Sequence, residues 1–286
     1  MEKKYVMDEE WDYLIVLDAC RYDFFKNNYK DILSDGELEK VKSPGRGTIE
    51  WLVENFKDNY DDTIYVSSTP YVNSKIKVSY GGYKFDGKSK FHKIYDVWDY
   101  GWNDQLNTVL PSTINNQTIK ISKNHRDKRF IIHYMQPHAP YLSLKDYYES
   151  IETDEKHDLD KSFRWEFLHT PFIYDFMINL GNKILKHLGT ELIWKLNRIF
   201  RFRKVEPSHM EMAWRILGKE GLKKAYEKNV THVLNRVSDL IANLQGRIVI
   251  TSDHGELLGE DGLYEHGPAL GWHKKLINIP WLKINK

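Results

Sequence analysis

Cysteine is nearly absent: Cys20 is the one such residue among 286. An internal disulfide framework is therefore excluded, and a reducing compartment is the simpler expectation. Long apolar runs are missing as well. No stretch approaches the roughly 18 residues that a membrane-spanning helix requires. The N-terminus, Met1-Glu2-Lys3-Lys4, runs into charge and not into an apolar segment, so no signal peptide is read. The expected location is cytoplasmic, with peripheral membrane contact as an addition. Net charge is only +1, which removes nucleic acid as an expected partner. There is no internal repeat and no low-complexity tract. The 39 aromatic residues (18 Tyr, 12 Phe, 9 Trp) read as core and surface packing.

What is present is a set of short apolar runs that end in polar residues. Tyr13 to Leu17 ends at Asp18, and Arg247 to Thr251 ends at Ser252-Asp253-His254-Gly255. Arg129 to His133 ends near Pro137-His138, and Thr63 to Ser67 gives a fourth run. Short, continuous and rich in branched residues, these read as buried parallel strands. Helical stretches such as Thr48 to Phe56 and Lys223 to Leu244 separate them. The alternation predicts an α/β fold: one domain over residues 1–286, a mostly parallel central sheet and helices on both faces. Open sheets of this kind place their sites where strand ends and helix N-termini converge.

The stretch at about 147–212 breaks the pattern and reads as a helical insertion or cap. Ile184, Leu188, Leu192, Leu196 and Ile199 recur at helical spacing, with Lys183, Lys186, Lys195 and Arg198 off that stripe. A helix packed on the main domain, an interfacial helix touching an anionic membrane over 183–203, and a partner-binding helix are the three readings.

The polar strand ends carry the chemistry. Adjacent Asp253 and His254 can bind one hard-to-borderline cation, and a buried carboxylate needs such a partner. Asp18 follows a buried strand and needs a counterion, with the metal and Arg21 as candidates; the alternative is a helix cap. Thr48, in Ser43-Pro44-Gly45-Arg46-Gly47-Thr48, opens a helix, where the macrodipole and a cation would make its hydroxyl acidic. The alternative is again a simple cap. His138 and His266 lie beside Gly- or Pro-rich turns and can bind oxyanions, protonate a leaving group or hold a second metal. His273 is a weaker member of this group, and His133 reads as part of its strand.

Leu14 to Asp23 resembles the opening metal-binding strand of sulfatases. Ile250 to Gly267 is similar to the late metal motif of sulfatase-like phosphotransferases, and Pro137-His138-Ala139-Pro140-Tyr141 to a substrate-binding histidine segment. The resemblance, to the alkaline phosphatase and sulfatase superfamily, covers about 10–145 and 213–286. It implies an alkaline phosphatase-like sandwich and a hydrolase or transferase acting on a phosphate mono- or diester. It assigns Asp18, Thr48, Asp253 and His254 to one divalent metal, Zn or Mn before Ca or Mg, with a second site undecided. Thr48 is then the nucleophile, with Ser43 as a rival, and His138 and His266 are catalytic. Arg21, Arg46, His138, His266 and His273 contact a phosphate or sulfate ester, free or linked to glycan or lipid. The alternatives are a sulfatase and a non-catalytic, metal-stabilised binder of anionic glycans or lipid head groups. Asp18 is followed by Ala19 where sulfatases have a second carboxylate, and the sole cysteine stands outside the nucleophile segment.

Overall fold

The computed structural model describes residues 1–33, 36–146, 189–200 and 207–286, without the side chains of 196–200. Seven strands form the main sheet: β1 (Tyr13–Asp18), β2 (Glu37–Lys42), β3 (Tyr60–Ser67), β6 (Phe91–Asp96), β9 (Arg129–Pro137), β10 (Arg247–Ser252) and β13 (Asn278–Asn285). Three small hairpins lie outside it: β4 (Val78–Tyr80) with β5 (Tyr83–Phe85), β7 (Trp102–Asn103) with β8 (Thr108–Val109), and β11 (Leu257–Glu260) with β12 (Leu263–Glu265). The described helices are α1 (Tyr22–Asn28), α2 (Thr48–Asn55), α3 (Val97–Tyr100), α4 (Pro111–Ser122), α5 (Thr190–Phe200), α6 (His209–Ile241) and α7 (Lys274–Ile277).

The main sheet runs β2-β13-β10-β1-β9-β3-β6. Only β13 is reversed; β10, β1, β9, β3 and β6 pair in parallel. The three expected site strands, β10, β1 and β9, are therefore neighbours at the centre, and their C-terminal ends share one edge.

Alternation along these strands feeds two cores. Ile15, Leu17, Ile248, Ile250, Phe130 and Ile132 face one side, with the buried face of α6. Leu14, Val16, Val249 and Ile131 face the other, with Trp51 and Leu52 of α2. Apolar residues on both faces explain why the strands read as continuous runs. The sheet is mostly parallel with helices around it, as expected.

The long late helix begins well before Lys223. Ser208 caps its N-terminus by accepting from the Glu211 amide, and Gly218 at φ 67 breaks it into two helical segments. Of the expected cap stripe, Ile184 and Leu188 lie outside the described residues, as does most of 147–212. Leu192 is exposed on α5, and the residue that packs inward there is Trp194, whose ring lies 4.8 Å from that of Tyr264. Among the described residues, no helix is long and apolar enough to cross a membrane.

The turn before α2 depends on a missing side chain. A Cβ on Gly45 would sit 2.4 Å from the Trp51 amide nitrogen and 2.6 Å from its Cα, both backbone atoms. One on Gly47 would meet nothing closer than 3.6 Å. Gly45→Ala should therefore lower stability by about 2 kcal/mol or more, whereas Gly47→Ala stays within about 1 kcal/mol. Thermal unfolding of the two variants checks this; equal melting temperatures would contradict the packing argument.

Candidate active site

Asp18 ends β1, and the chain turns at once. Ala19 adopts φ 59, rare for a residue with a side chain. The Tyr226 hydroxyl donates to the Ala19 carbonyl (2.7 Å) and accepts from the Arg21 amide (2.9 Å), and Ser252 Oγ accepts from the Cys20 amide (2.8 Å). A strained residue persists only where its surroundings over-determine it, and here β10 and α6 do so. Asp18 caps no helix: Arg21 is the cap residue of α1, without a side-chain bond.

Asp253 and His254 follow β10. Asp253 Oδ1 accepts from the amides of Ala19 (3.1 Å) and His254 (2.9 Å), which aims Oδ2 at Thr48. Gly255 lets this turn pack under the α7 segment: a Cβ there would lie 2.0 Å from the Lys275 carbonyl oxygen. Thr48 is the first residue of α2, and the cap position is Gly47. Its hydroxyl is thus released from capping and donates to Asp253 Oδ2 at 2.7 Å. Ser43, in contrast, donates to the Asp253 backbone carbonyl and is fully buried.

The four residues assigned to a metal converge. His254 Nε2 lies 3.5 Å from Asp18 Oδ1, 3.3 Å from Asp253 Oδ2 and 3.4 Å from Thr48 Oγ1. Tetrahedral zinc ligands at about 2.0–2.1 Å from the ion stand about 3.3 Å from one another. The tautomer fits as well. His254 Nδ1 donates to the Gly255 carbonyl at 2.8 Å, so Nε2 keeps its lone pair toward the carboxylates. Asp18 Oδ1 is buried with no hydrogen-bond partner among the described residues. A lone pair and two carboxylate oxygens facing one another repel unless a cation or a proton lies between them. The residues therefore fit a divalent cation.

Electrostatics agree. Burial first, then the Asp253 and Glu256 charges, push the Asp18 carboxyl well above the usual range. Burial also drives His254 well below the ordinary imidazole value, helped by His266. Two participants were not expected from sequence. His133 on β9 points its unpartnered Nε2 at Asp253 Oδ2 (3.8 Å) while Nδ1 meets the Tyr65 hydroxyl (2.8 Å), and burial holds it at about 4. Glu256 grips His266 Nδ1 at 3.0 and 3.2 Å. Burial acts to lower the His266 pKa, but the Glu256 charge and hydrogen bond outweigh it and raise the value. The alternation of β9 could have signalled His133, and the Asp-x-x-Glu spacing Glu256.

His138 follows β9 through the cis Gln136–Pro137 bond, and its ring lies 5.2 Å from that of His266. The His266 ring lies 4.3 Å from that of His254. Arg21 and Arg46 are engaged within the chain. Arg21 forks onto Asp23 (3.0 and 2.7 Å) and reaches Glu260 (2.8 Å). Arg46 forks onto Glu50 (2.8 and 2.6 Å), donates to the Pro268 carbonyl (2.9 Å) and stacks on Trp272. His273 caps α7 by accepting from the Lys275 amide at 3.1 Å.

A mostly parallel sheet whose central edge gathers carboxylates, imidazole and a hydroxyl defines an alkaline phosphatase-like α/β protein. The chain belongs to the Sulfatase family, whose profile matches residues 43–284. That family is enzymatic, acts on sulfate or phosphate esters and generally holds a divalent metal. No curated protein matches the chain. Among solved structures it is similar to the integral membrane protein lipooligosaccharide phosphoethanolamine transferase A of Neisseria meningitidis, at 14% identity and TM-score 0.53, over 95% of this chain and 46% of that one. The chain thus spans under half the length of that enzyme. The soluble domain of the same enzyme matches with the same identity and TM-score over 95% of this chain and 75% of its own. The C-terminal periplasmic domain of EptC from Escherichia coli, in complex with Zn, matches at 12% identity and TM-score 0.50, over 99% and 75%. At these identities the likeness is one of fold.

The expected cytoplasmic location is corrected by this comparison, since the similar EptC structure is a periplasmic domain. The physical reason is that Cys20 is fully buried and free. A lone cysteine without a partner reports on no redox compartment.

Without metal, the raised Asp18 pKa means that the native state holds a proton the unfolded chain has lost. Stability of the metal-free protein should then fall as pH rises from the ordinary carboxylate pKa toward the raised one. Asp18→Asn should remove that slope and raise metal-free stability near neutral pH by ~1–2 kcal/mol, while metal uptake is lost. Unfolding in chelator across pH, with elemental analysis, measures both; an unchanged slope would count against a carboxyl held protonated by burial.

Proposed function

We propose that the chain is a metal-dependent phosphoesterase or phosphoryl-type transferase with Thr48 as nucleophile. The observation that carries this reading is the Thr48 hydroxyl, held 2.7 Å from Asp253 Oδ2 and 3.4 Å from His254 Nε2 beside the unpartnered Asp18 oxygen. Asp18, Thr48, Asp253 and His254 would hold one divalent cation. When bound, that cation lowers the pKa of the hydroxyl and neutralises charge on the ester's oxygens.

The chain's own groups supply the rest. Asp253 Oδ2 already accepts the Thr48 proton in a hydrogen bond and orients the oxygen for attack on phosphorus. The N-terminus of α2 favours the negative charge of the phosphoryl oxygens. His266, held by Glu256 at Nδ1 and raised in pKa, has Nε2 left to protonate the departing alkoxide as its bond to phosphorus breaks. Water or an acceptor alcohol then takes the phosphoryl group from the threonine. His138 completes the substrate side; Arg21, Arg46 and His273, engaged as described, position the loops around it.

A second reading has its own observation. Ligand atoms of His138, Glu256 and His266 lie within 4.8 Å of one another and suit a second cation. In that case His266 cannot be the acid, and metal content rises to two equivalents. Phosphate is favoured over sulfate because Cys20 sits in the core and Ser43 is committed to a backbone carbonyl, so neither is placed for a formylglycine. The single-domain organisation with an insertion at about 147–212 is part of the same proposal. A glycan- or lipid-linked ester is supported only by the name of the similar Neisseria enzyme.

With Zn²⁺ or Mn²⁺, 4-nitrophenyl phosphate or bis(4-nitrophenyl) phosphate should be turned over in preference to 4-nitrophenyl sulfate. Thr48→Ala should lose at least about 10³-fold in kcat while keeping its fold and most of its metal. Asp253→Asn should lose the metal itself. Full activity in Thr48→Ala would remove the nucleophile assignment, and full metal content in Asp253→Asn would remove the centre.

A further inference from the structure

His266 leaves the end of a two-stranded hairpin, β11 with β12, whose strands are four and three residues long. A lone hairpin of that size is at best marginally stable, so its place is set by what grips it. α5 and the N-terminal third of α6 grip it along its length. At its turn, the Glu191 amide donates to the Gly262 carbonyl (3.1 Å). On β11, Lys219 Nζ donates to the Gly259 carbonyl (2.7 Å). On β12, the Tyr264 amide donates to Thr190 Oγ1 (3.2 Å), and the Tyr264 ring packs on Trp194.

The last grip falls beside His266 itself. Glu265 has φ 71, a setting that a residue with a side chain rarely adopts. Its Oε1 accepts from Ser208 Oγ at 2.5 Å. The same hydroxyl caps α6 by accepting from the Glu211 amide (3.1 Å), since a hydroxyl can donate once and still accept. A strained residue is kept only where its neighbours fix it, and Ser208 is such a neighbour. On the other flank of His266, the Gly267 amide donates to the Arg46 carbonyl (2.9 Å), in the segment that leads into Thr48. His266 is thus spanned between the start of α6 and the nucleophile segment, while Glu256 holds its Nδ1.

We propose that Ser208 and Glu265 are positioning residues: their hydrogen bond fixes the strained turn that aims His266 Nε2 at the leaving group. This rests on the reading of His266 as the acid that protonates the departing alkoxide. An acid must stand within hydrogen-bond reach of that oxygen, and a misplacement of about 1 Å is costly in rate. The helices on either side of the sequence gap at 201–206 then govern proton delivery without touching the ester.

Leaving-group dependence separates positioning from a merely structural role. 2,4-Dinitrophenolate departs without a proton, whereas phenolate and alkoxides need one. Ser208→Asp keeps the helix cap but cannot donate to the Glu265 carboxylate and repels it; Ser208 is exposed, so the core is left intact. Glu265→Gly relieves the positive φ and cuts the tether from the other side. Both variants should lose about tenfold in kcat on phenyl phosphate and little on 2,4-dinitrophenyl phosphate, and Ser208→Thr should restore the loss. His266→Ala sets the full size of the selective effect, at least about 10²-fold. Equal losses on the two esters, or no loss on either, overturn the proposal. Amide hydrogen exchange supplies a readout that needs no turnover: Ser208→Asp should speed exchange over 257–267 and leave β10 unchanged. Unaltered exchange there overturns the tether by itself. Failure of the catalytic reading shows separately, as absence of turnover of either ester by the unsubstituted chain, with the exchange measurement still deciding whether Ser208 holds the His266 turn.

Discussion

Everything in this molecule turns on a repulsion that the fold enforces. Two carboxylates, Asp18 and Asp253, are each held within 3.5 Å of the lone pair of His254 in a site almost closed to water. Left alone, such a set is unfavourable: burial and the neighbouring charges push the Asp18 carboxyl well above its usual range. A divalent cation answers it, because it satisfies all the oxygens and the imidazole at once. The constraint is structural before it is chemical. β10 and β1 pair in parallel register, Leu17 opposite Ser252, so the residues that follow them must share a place.

Holding the set together requires atoms outside it. Tyr226, from the far end of the chain, fixes both sides of the strained Ala19. Ser252 Oγ lies 2.6 and 2.5 Å from the Leu17 and His254 carbonyl oxygens, donates its one proton between them, and accepts from the Cys20 amide. Asn229 gathers three carbonyls of the His138 turn. Arg46 ties α2, through Glu50, to the Pro268 loop that carries His266. These are the supporting bonds that keep ligands within a fraction of an ångström of a working geometry.

The fold was legible because both faces of each central strand are apolar, and such runs have one home, a covered parallel sheet. Asp18, Asp253 and His254 were legible because they stand where those runs stop. Thr48 was less so, since a hydroxyl opening a helix is more often a cap; only the coordinates show that Gly47 holds that position. His133 and Glu256 were hidden for opposite reasons. His133 lies inside a strand, where polarity looks like a defect of pattern, and Glu256 lies in a glycine turn, where acids are common. The compartment was misread because one buried thiol was asked to report on solvent redox conditions it never meets.

The division between what was readable and what was not follows the division of labour in the site. The side that holds Asp18, Thr48, Asp253 and His254 is made from strand ends and short turns, whose neighbours are dictated by sheet register. The histidine side is made from the His138 turn and from the loops around it, among them Ser208, whose hydroxyl donates to Glu265 beside His266. No periodicity links those residues. The candidate metal-binding residues thus lie in the regular part of the chain, and the residues around His138 and His266 in the irregular part. A fold shared with enzymes of different ester substrates is then expected to conserve the first geometry and vary the second.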